Sequence, residues 1–267
     1  MLSARSLAFT NDGKWLAAGG GMPTVSGDIR LWDLTAGRES LVIDAHPDVV
    51  NAVVFSPDGK LIVSGSGDKS LKVWQMPAGK LVATLRDHSD SVLSAAFSKD
   101  GKYLVSAGAD KSIKVWDITT GKRIYSIAAH DDIINDIEFS ADGKRLISSS
   151  ADKSAKIWLY GVESSSQLKV LTGHKGSILA AYFSPDGQTA ATASADKSVK
   201  LWNVTSGSNL RTLSNAKDWV YTIKFSPDGK LLAAGTWDGQ VLLWNTSDSK
   251  LVATLSTLRN STASVSK

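Results

Sequence analysis

Residues 49–86 read VVNAVVFSPDGKLIVSGSGDKSLKVWQMPAGKLVATLR, and the fold follows from the order of signals within this stretch. VVNAVVF (49–55) is β-branched and apolar, and SPDG (56–59) places Pro and Gly where a tight turn wants them. LIVSGS (61–66) reads as a second strand, GDKS as a second turn, and LKVW (71–74) as a third strand. PAGK then turns the chain into a fourth strand, LVATLR (81–86). Short strands joined by Gly/Asp turns describe a four-stranded antiparallel meander. No segment sustains a 3.6-residue apolar period, so almost no helix is expected.

Outward from this unit the chain repeats it. A Trp closes the third strand at Trp32, Trp74, Trp116, Trp158, Trp202 and Trp244, at spacings of 42, 42, 42, 44 and 42 residues. A Phe opens the first turn at Phe9, Phe55, Phe97, Phe139, Phe183 and Phe225, where the sequence runs FTNDGK, FSPDGK, FSKDGK, FSADGK, FSPDGQ and FSPDGK. Two independent markers with one period define six units. A lone four-stranded sheet cannot cover both its faces, whereas units packed face to face around an axis cover one another. The expected fold is therefore all-β, a β-propeller of six four-stranded antiparallel blades over residues 1–255. The blades fall at about 1–45, 46–87, 88–129, 130–173, 174–215 and 216–255, and a polar, Ser/Thr-rich flexible tail is expected over 256–267. Met1 aligns with Pro47, so no spare strand is left to latch the two ends together. Two arrangements stay open: six blades closing by side-chain packing alone, or part of a larger propeller or longer protein.

The unit H…SPDGK…S-G-S-x-D-K-S-x-K-V-W-D resembles the WD repeat (WD40), and the resemblance covers nearly the whole chain. The signature dipeptide itself is kept at Trp32-Asp33 and Trp116-Asp117, and becomes Trp-Gln, Trp-Leu or Trp-Asn elsewhere. All four histidines share one phase. His46, His88, His130 and His174 each lie 22 residues before Asp68, Asp110, Asp152 and Asp196. Ser64, Ser106, Ser148 and Thr192 precede those aspartates by four, and Trp74, Trp116, Trp158 and Trp202 follow by six. The resemblance implies that each set is a structural hydrogen-bond tetrad. Buried His, Asp and hydroxyl groups must in any case satisfy one another, since each unpaired group costs about 1–3 kcal/mol. A Ser-His-Asp set also invites a catalytic reading, but an active site is a unique constellation and this one occurs four times. The last unit has Ala216 and Ala234 at the His and hydroxyl phases, while Asp238 and Trp244 remain; the first has Ser26 at the Asp phase.

The resemblance implies binding of a protein or peptide partner on the rim shared by the loops between strands four and one and between strands two and three, and at the channel mouth. Trp219 and Trp237 depart from the repeat there, with Tyr221 close by; the competing reading is that they fill space left by Ala216 and Ala234. The ring Arg5, Asn51, Leu93, Asn135, Leu179 and Tyr221 is expected near the channel mouth. Lys69, Lys111, Lys153 and Lys197 form a basic ring that would favour an acidic partner, unless they are ordinary turn lysines. Trp15, at the opposite rim, reads as lateral packing.

Composition narrows the functions. The chain has no cysteine, which removes disulfides, thiolate metal sites and thiol nucleophiles. Its net charge of +4 comes from 30 Lys+Arg against 26 Asp+Glu, but most lysines recur at fixed repeat positions, the pattern of a solvated surface. Nucleic acid is therefore not an expected partner, and no apolar run reaches the ~18 residues of a membrane span. With no signal sequence apparent, a cytoplasmic location is favoured. No cofactor or metal is expected, because each His belongs to a different blade. The leading function is a non-catalytic interaction scaffold, monomeric unless the ring is open. The alternatives are a propeller enzyme with a channel-mouth active site, for which only the acids Asp132, Asp136 and Glu138 form an irregular group, and a regulatory or sensor repeat region of a larger protein.

Overall fold

The Asp-Gly turn sets the geometry of every unit. In the second, Gly59 takes a φ of 70°, which places it in the left-handed region, and its amide bonds Ser56 O at 2.8 Å. The Ser56 hydroxyl donates to Asp58 at 2.7 Å, and the same carboxylate accepts the Lys60 amide at 3.1 Å. This turn reverses the chain between the first two strands, and Gly13, Gly101, Gly143, Gly187 and Gly229 repeat its φ in the other five units.

The structure, a computed structural model, describes residues 3–256. Blade one comprises β1 (Ala4–Phe9), β2 (Trp15–Met22), β3 (Ser26–Asp33) and β4 (Arg38–His46), and blade two β5 (Val50–Phe55), β6 (Leu61–Ser66), β7 (Ser70–Gln75) and β8 (Lys80–Arg86). Blade three holds β9 (Val92–Phe97), β10 (Tyr103–Gly108), β11 (Ser112–Asp117) and β12 (Lys122–Ala128), and blade four β13 (Ile134–Phe139), β14 (Arg145–Ser150), β15 (Ser154–Leu159) and β16 (Ser166–Thr172). Blade five holds β17 (Ile178–Phe183), β18 (Thr189–Ser194), β19 (Val199–Asn203) and β20 (Asn209–Leu213). Blade six completes the set with β21 (Val220–Phe225), β22 (Leu231–Thr236), β23 (Gln240–Asn245) and β24 (Leu251–Ser256). Each blade is one antiparallel meander in chain order, and among the described residues there is no helix. Ser256, placed in the tail by the sequence reading, is the last residue of β24; the rest of that segment, 257–267, lies outside the described residues.

Five apolar cores join consecutive blades. Between the first and second, Ala17, Ile29, Leu31 and Ile43 meet Val53, Ile62 and Trp74, and half-buried Trp15 packs against the same cluster. The pattern recurs at the next four interfaces, where one face of a blade always meets the opposite face of its successor. Among the described residues no such core joins blades six and one. The faces they would share stand open: Leu7 is 64% and Phe9 61% exposed on β1, and Leu255 is 60% exposed on β24. Their counterparts inside the array, Val53 and Leu213, are 2% and 5% exposed. The sixth blade does not lend a strand to the first, because both sheets are complete within their own segments.

The lysines two residues before the repeated Trp differ from the solvated surface expected of them. Lys114 is buried and pairs with Asp87 at 2.7 Å, Lys156 bonds Ala129 O at 2.7 Å, and Lys200 bonds the Thr212 hydroxyl at 2.9 Å. Their stems lie along the third strand while the ammonium ties it to the fourth strand or to the loop beyond, which fixes charge in place rather than offering it to a partner.

Candidate functional site

The four tetrads are assembled. His130 Nδ1 lies 2.8 Å from Asp152, its Nε2 lies 2.8 Å from the Ser148 hydroxyl, and Trp158 Nε1 donates to that hydroxyl at 2.9 Å. The sets around His46, His88 and His174 repeat this with distances of 2.7–2.9 Å. Because the indole can only donate, the hydroxyl passes its proton toward Nε2 and the imidazole donates from Nδ1 to the carboxylate. That arrangement needs a neutral ring. Burial accordingly lowers the pKa of His130 and His174, with the neighbouring aspartates opposing. Burial works against ionisation of Asp152, yet hydrogen bonds from Ser154 and His130 prevail and hold its pKa at about 2. The hydroxyl, imidazole, carboxylate and indole of each set are committed to neighbours, so none of them stands free as a nucleophile or base.

Blade six solves the same problem differently. Trp244 Nε1 donates to Asn215 Oδ1 at 2.9 Å, so the residue beside the His phase supplies the acceptor. Ala234 is fully buried and Ala216 packs against the core shared with blade five. The space at these alanines is therefore closed without Trp219 or Trp237, contrary to the filling role considered for them.

Those two rings are instead on the surface. Trp237, in the turn between β22 and β23, is 68% exposed; Trp219, just before β21, is 45% exposed, and Tyr221 on β21 is 40% exposed. Tyr221 stacks on Trp237 with centroids 5.2 Å apart, and Trp219 lies 6.3 Å from Tyr221. The three form a continuous aromatic row from the loop rim into the channel mouth.

Arg5, Asn51, Leu93, Asn135, Leu179 and Tyr221 all line a central cavity of about 600 Å³. The asparagines are stitches between first strands as well as lining: Asn51 bonds Val92 O at 3.0 Å and receives Arg5 at 3.1 Å, while Asn135 bonds Ile178 O at 2.7 Å. Lys69, Lys111, Lys153 and Lys197 take φ values of 63–70° in their turns, and Lys111 and Lys197 reach the carbonyls of Asp131 and Lys217. They serve the loops, with their charge still at the rim.

Of the inner wall of the channel the sequence reading singled out only Asp136 and Glu138, and missed their partners. The position before each repeated Phe carries Ala8, Val54, Ala96, Glu138, Tyr182 and Lys224, so three small apolar residues are followed by three polar ones. Lys224 Nζ lies 3.1 Å from Glu138 and 3.5 Å from the centroid of the Tyr182 ring, spanning blades four to six. Asp136 accepts the Ser94 hydroxyl at 2.8 Å from blade three. Asp132, grouped with these acids in the sequence, stands apart in the loop before β13, where it accepts the Ile133 amide. Burial raises the pKa of Asp136, with the Ser94 bond opposing. Burial also lifts Glu138 to about 7, with Lys224 opposing and Asp136 reinforcing.

A carboxylate whose pKa is raised on folding contributes stability that is complete below its unfolded value near 4.5 and lost as pH climbs through about 7. Glu138→Gln removes that dependence. The stability of the wild type relative to E138Q should fall by about 1 kcal/mol between pH 5 and pH 8, a figure reduced for partial exposure. Urea denaturation of both proteins at four pH values reads this directly, and a constant difference would refute it.

Comparison with known proteins agrees with this geometry. The WD domain, G-beta repeat family (WD40) matches residues 3–33, 37–75, 79–117, 121–158, 165–203 and 207–245, and the chain belongs to that family. Fold and family together define a WD-repeat propeller, a class whose members generally serve as protein–protein interaction scaffolds. The chain is similar to the WD repeat-containing protein SL1-17 of Schistosoma mansoni, 42% identical over 66 residues, or 25% of this chain and 20% of that protein. It is also similar to Protein ROOT INITIATION DEFECTIVE 3 of Arabidopsis thaliana, 40% identical over 68 residues, 26% of this chain and 15% of that one. A third match is to DDB1- and CUL4-associated factor 13 of Dictyostelium discoideum, 46% identical over 46 residues, 17% of this chain and 10% of that one. The matched stretches thus span a fifth or less of these relatives.

Proposed function

We propose that the chain binds a protein or peptide segment across the loop rim of blade six and into the channel mouth, with Trp219, Tyr221 and Trp237 as the anchor. The observation that carries this reading is the exposed aromatic row itself. Three large rings at residues that break the repeat give rigid contact area at low entropic cost, which is how interface hot spots are built. Recognition by charge comes second. The rim lysines alternate with Asp48, Asp90, Asp132 and Asp218, which accept the amides of Val49, Ser91, Ile133 and Trp219, so a preference for acidic partners would be modest and binding only mildly salt-dependent.

The test compares three proteins in capture and affinity measurements: wild type, W219A/W237A, and K60E on the opposite rim. A partner held by wild type and K60E should bind the double variant at least about tenfold more weakly. Undiminished binding by W219A/W237A, or loss with K60E, would place the interface elsewhere.

A further inference from the structure

A second cavity of about 600 Å³ opens on the other rim, between blades five and six. Its origin shows in a comparison of the five interfaces. Each has a corner where a fourth-strand residue of one blade lies toward the residue two after the repeated Trp of the next. At the first three interfaces the pairs are Leu41 with Met76, Ala83 with Ile118, and Tyr125 with Tyr160, all packed on the local core. At the fourth, Val204 belongs to the core and the Lys169 stem covers the turn at Gly207. At the fifth the pair is Arg211 with Thr246, neither joins the core, and both line the cavity. Its apolar wall is Leu201, Leu210 and Phe225.

The one cation on this corner is unused, and a hydroxyl in the adjoining turn has no partner. The Arg211 guanidinium makes no hydrogen bond or ion pair among the described residues. The Ser249 hydroxyl is buried without a partner. Ser249 holds a φ of 61° where the equivalent turns have Gly79, Gly121 and Gly207, and a side chain at Gly79 or Gly207 would meet Leu41 or Lys169, the fourth-strand residue of the preceding blade. By strand register, the fourth-strand residue of blade five equivalent to Leu41 and Lys169 is Arg211. The carboxylates on the cavity wall are occupied: Asp186 accepts the Ser184 hydroxyl and the Gln188 amide, and Asp228 the Ser226 hydroxyl and the Lys230 amide.

We propose that this corner is a binding site for the C-terminal residue of a partner peptide, its apolar side chain taking the place that Met76, Ile118 or Tyr160 fills elsewhere and its carboxylate resting on Arg211. The apolar wall supplies the seat, and the same seat is occupied by a side chain at the other interfaces. Arg211 supplies the planar two-donor fork that matches a carboxylate. The carboxylate is steered to that end because Asp186 and Asp228 repel it from the other. The site lies on the rim opposite the aromatic row, so it is independent of the function proposed above.

The test titrates N-acetyl-Leu-Phe with a free carboxylate, and its carboxamide, into the full chain with labelled methyl groups. The acid should shift the Leu201 and Leu210 methyl resonances with millimolar affinity, and the amide should bind about five- to tenfold more weakly. R211M should bring the acid down to the level of the amide. Thr246→Ile, which copies the residue at the second interface and gives up the Thr246 hydroxyl bond to Gly229 O, should abolish binding of both while the protein stays folded. Absence of methyl shifts with the acid at about 20 mM, equal binding of the amide, or a T246I variant that stays folded and still binds would each overturn the proposal.

Discussion

Replacing His130 with alanine is expected to cost about 2–4 kcal/mol of stability, and the equivalent His46, His88 and His174 should behave alike. The ring is buried between Asp152 and Ser148, and its removal leaves a cavity, takes one donor from the Asp152 carboxylate and leaves the Ser148 hydroxyl without its acceptor, while the Trp158 indole keeps only Ser148. Because one change disables the network, S148A and H130A combined should cost much less than their sum. Asn215→Ala, which removes the single acceptor of Trp244 in blade six, should cost only about 1 kcal/mol. The tetrads also predict acid lability with a definite sign. Hydrogen bonds hold Asp152 and Asp196 at about 2, below the ordinary carboxylate value of 3.8, so each adds stability that is complete above about pH 4 and lost as pH falls toward 2. Chemical denaturation of H130A, N215A and wild type at pH 7 and pH 3 separates these effects. Equal costs for H130A and N215A would show that the four-membered network adds nothing beyond one hydrogen bond.

The tetrads and the channel-mouth ring were legible because repetition converts spacing into position. Once six units align, residues such as His46, Ser64, Asp68 and Trp74 must converge at one place, and Arg5, Asn51 and Tyr221 must share one level of the channel. What escaped the sequence reading depends on contacts between units rather than within them. Lys224 meets Glu138 across 86 residues, and only the curvature of the array brings them together. Yet a signal existed, since the position before each Phe changes from Ala or Val to Glu, Tyr and Lys halfway along. Asn215 stands one residue from the vacated His phase, so a column-by-column comparison finds only Ala216. Thr246 in place of Met, Ile, Tyr or Val looks like ordinary variation until the space it fails to fill is seen.

Closure is the other feature that alignment could not decide, and a pair of matched substitutions tests it. Leu7 and Val53 occupy the same place in successive first strands, facing Ala18 and Ser64 across their sheets. Leu255 and Leu213 are equivalent in the fourth strands, opposite Val241 and Val199. Val53→Lys and Leu213→Lys force a charge into dry interfaces and should cost about 4 kcal/mol or more, enough to unfold much of the array. Leu7→Lys and Leu255→Lys fall on faces already open to water, and should change stability by no more than about 0.5 kcal/mol. A closed ring would make all four variants equally damaging, so the comparison decides between the arrangements without reference to shape. The two open faces are of opposite kinds, the kinds that meet at every internal interface. Contact between copies would therefore run head to tail, and losing either face should be enough to prevent it. L7K or L255K alone should then lower any self-association of the wild type seen by light scattering, and an effect requiring both would mean that each face pairs with its own kind.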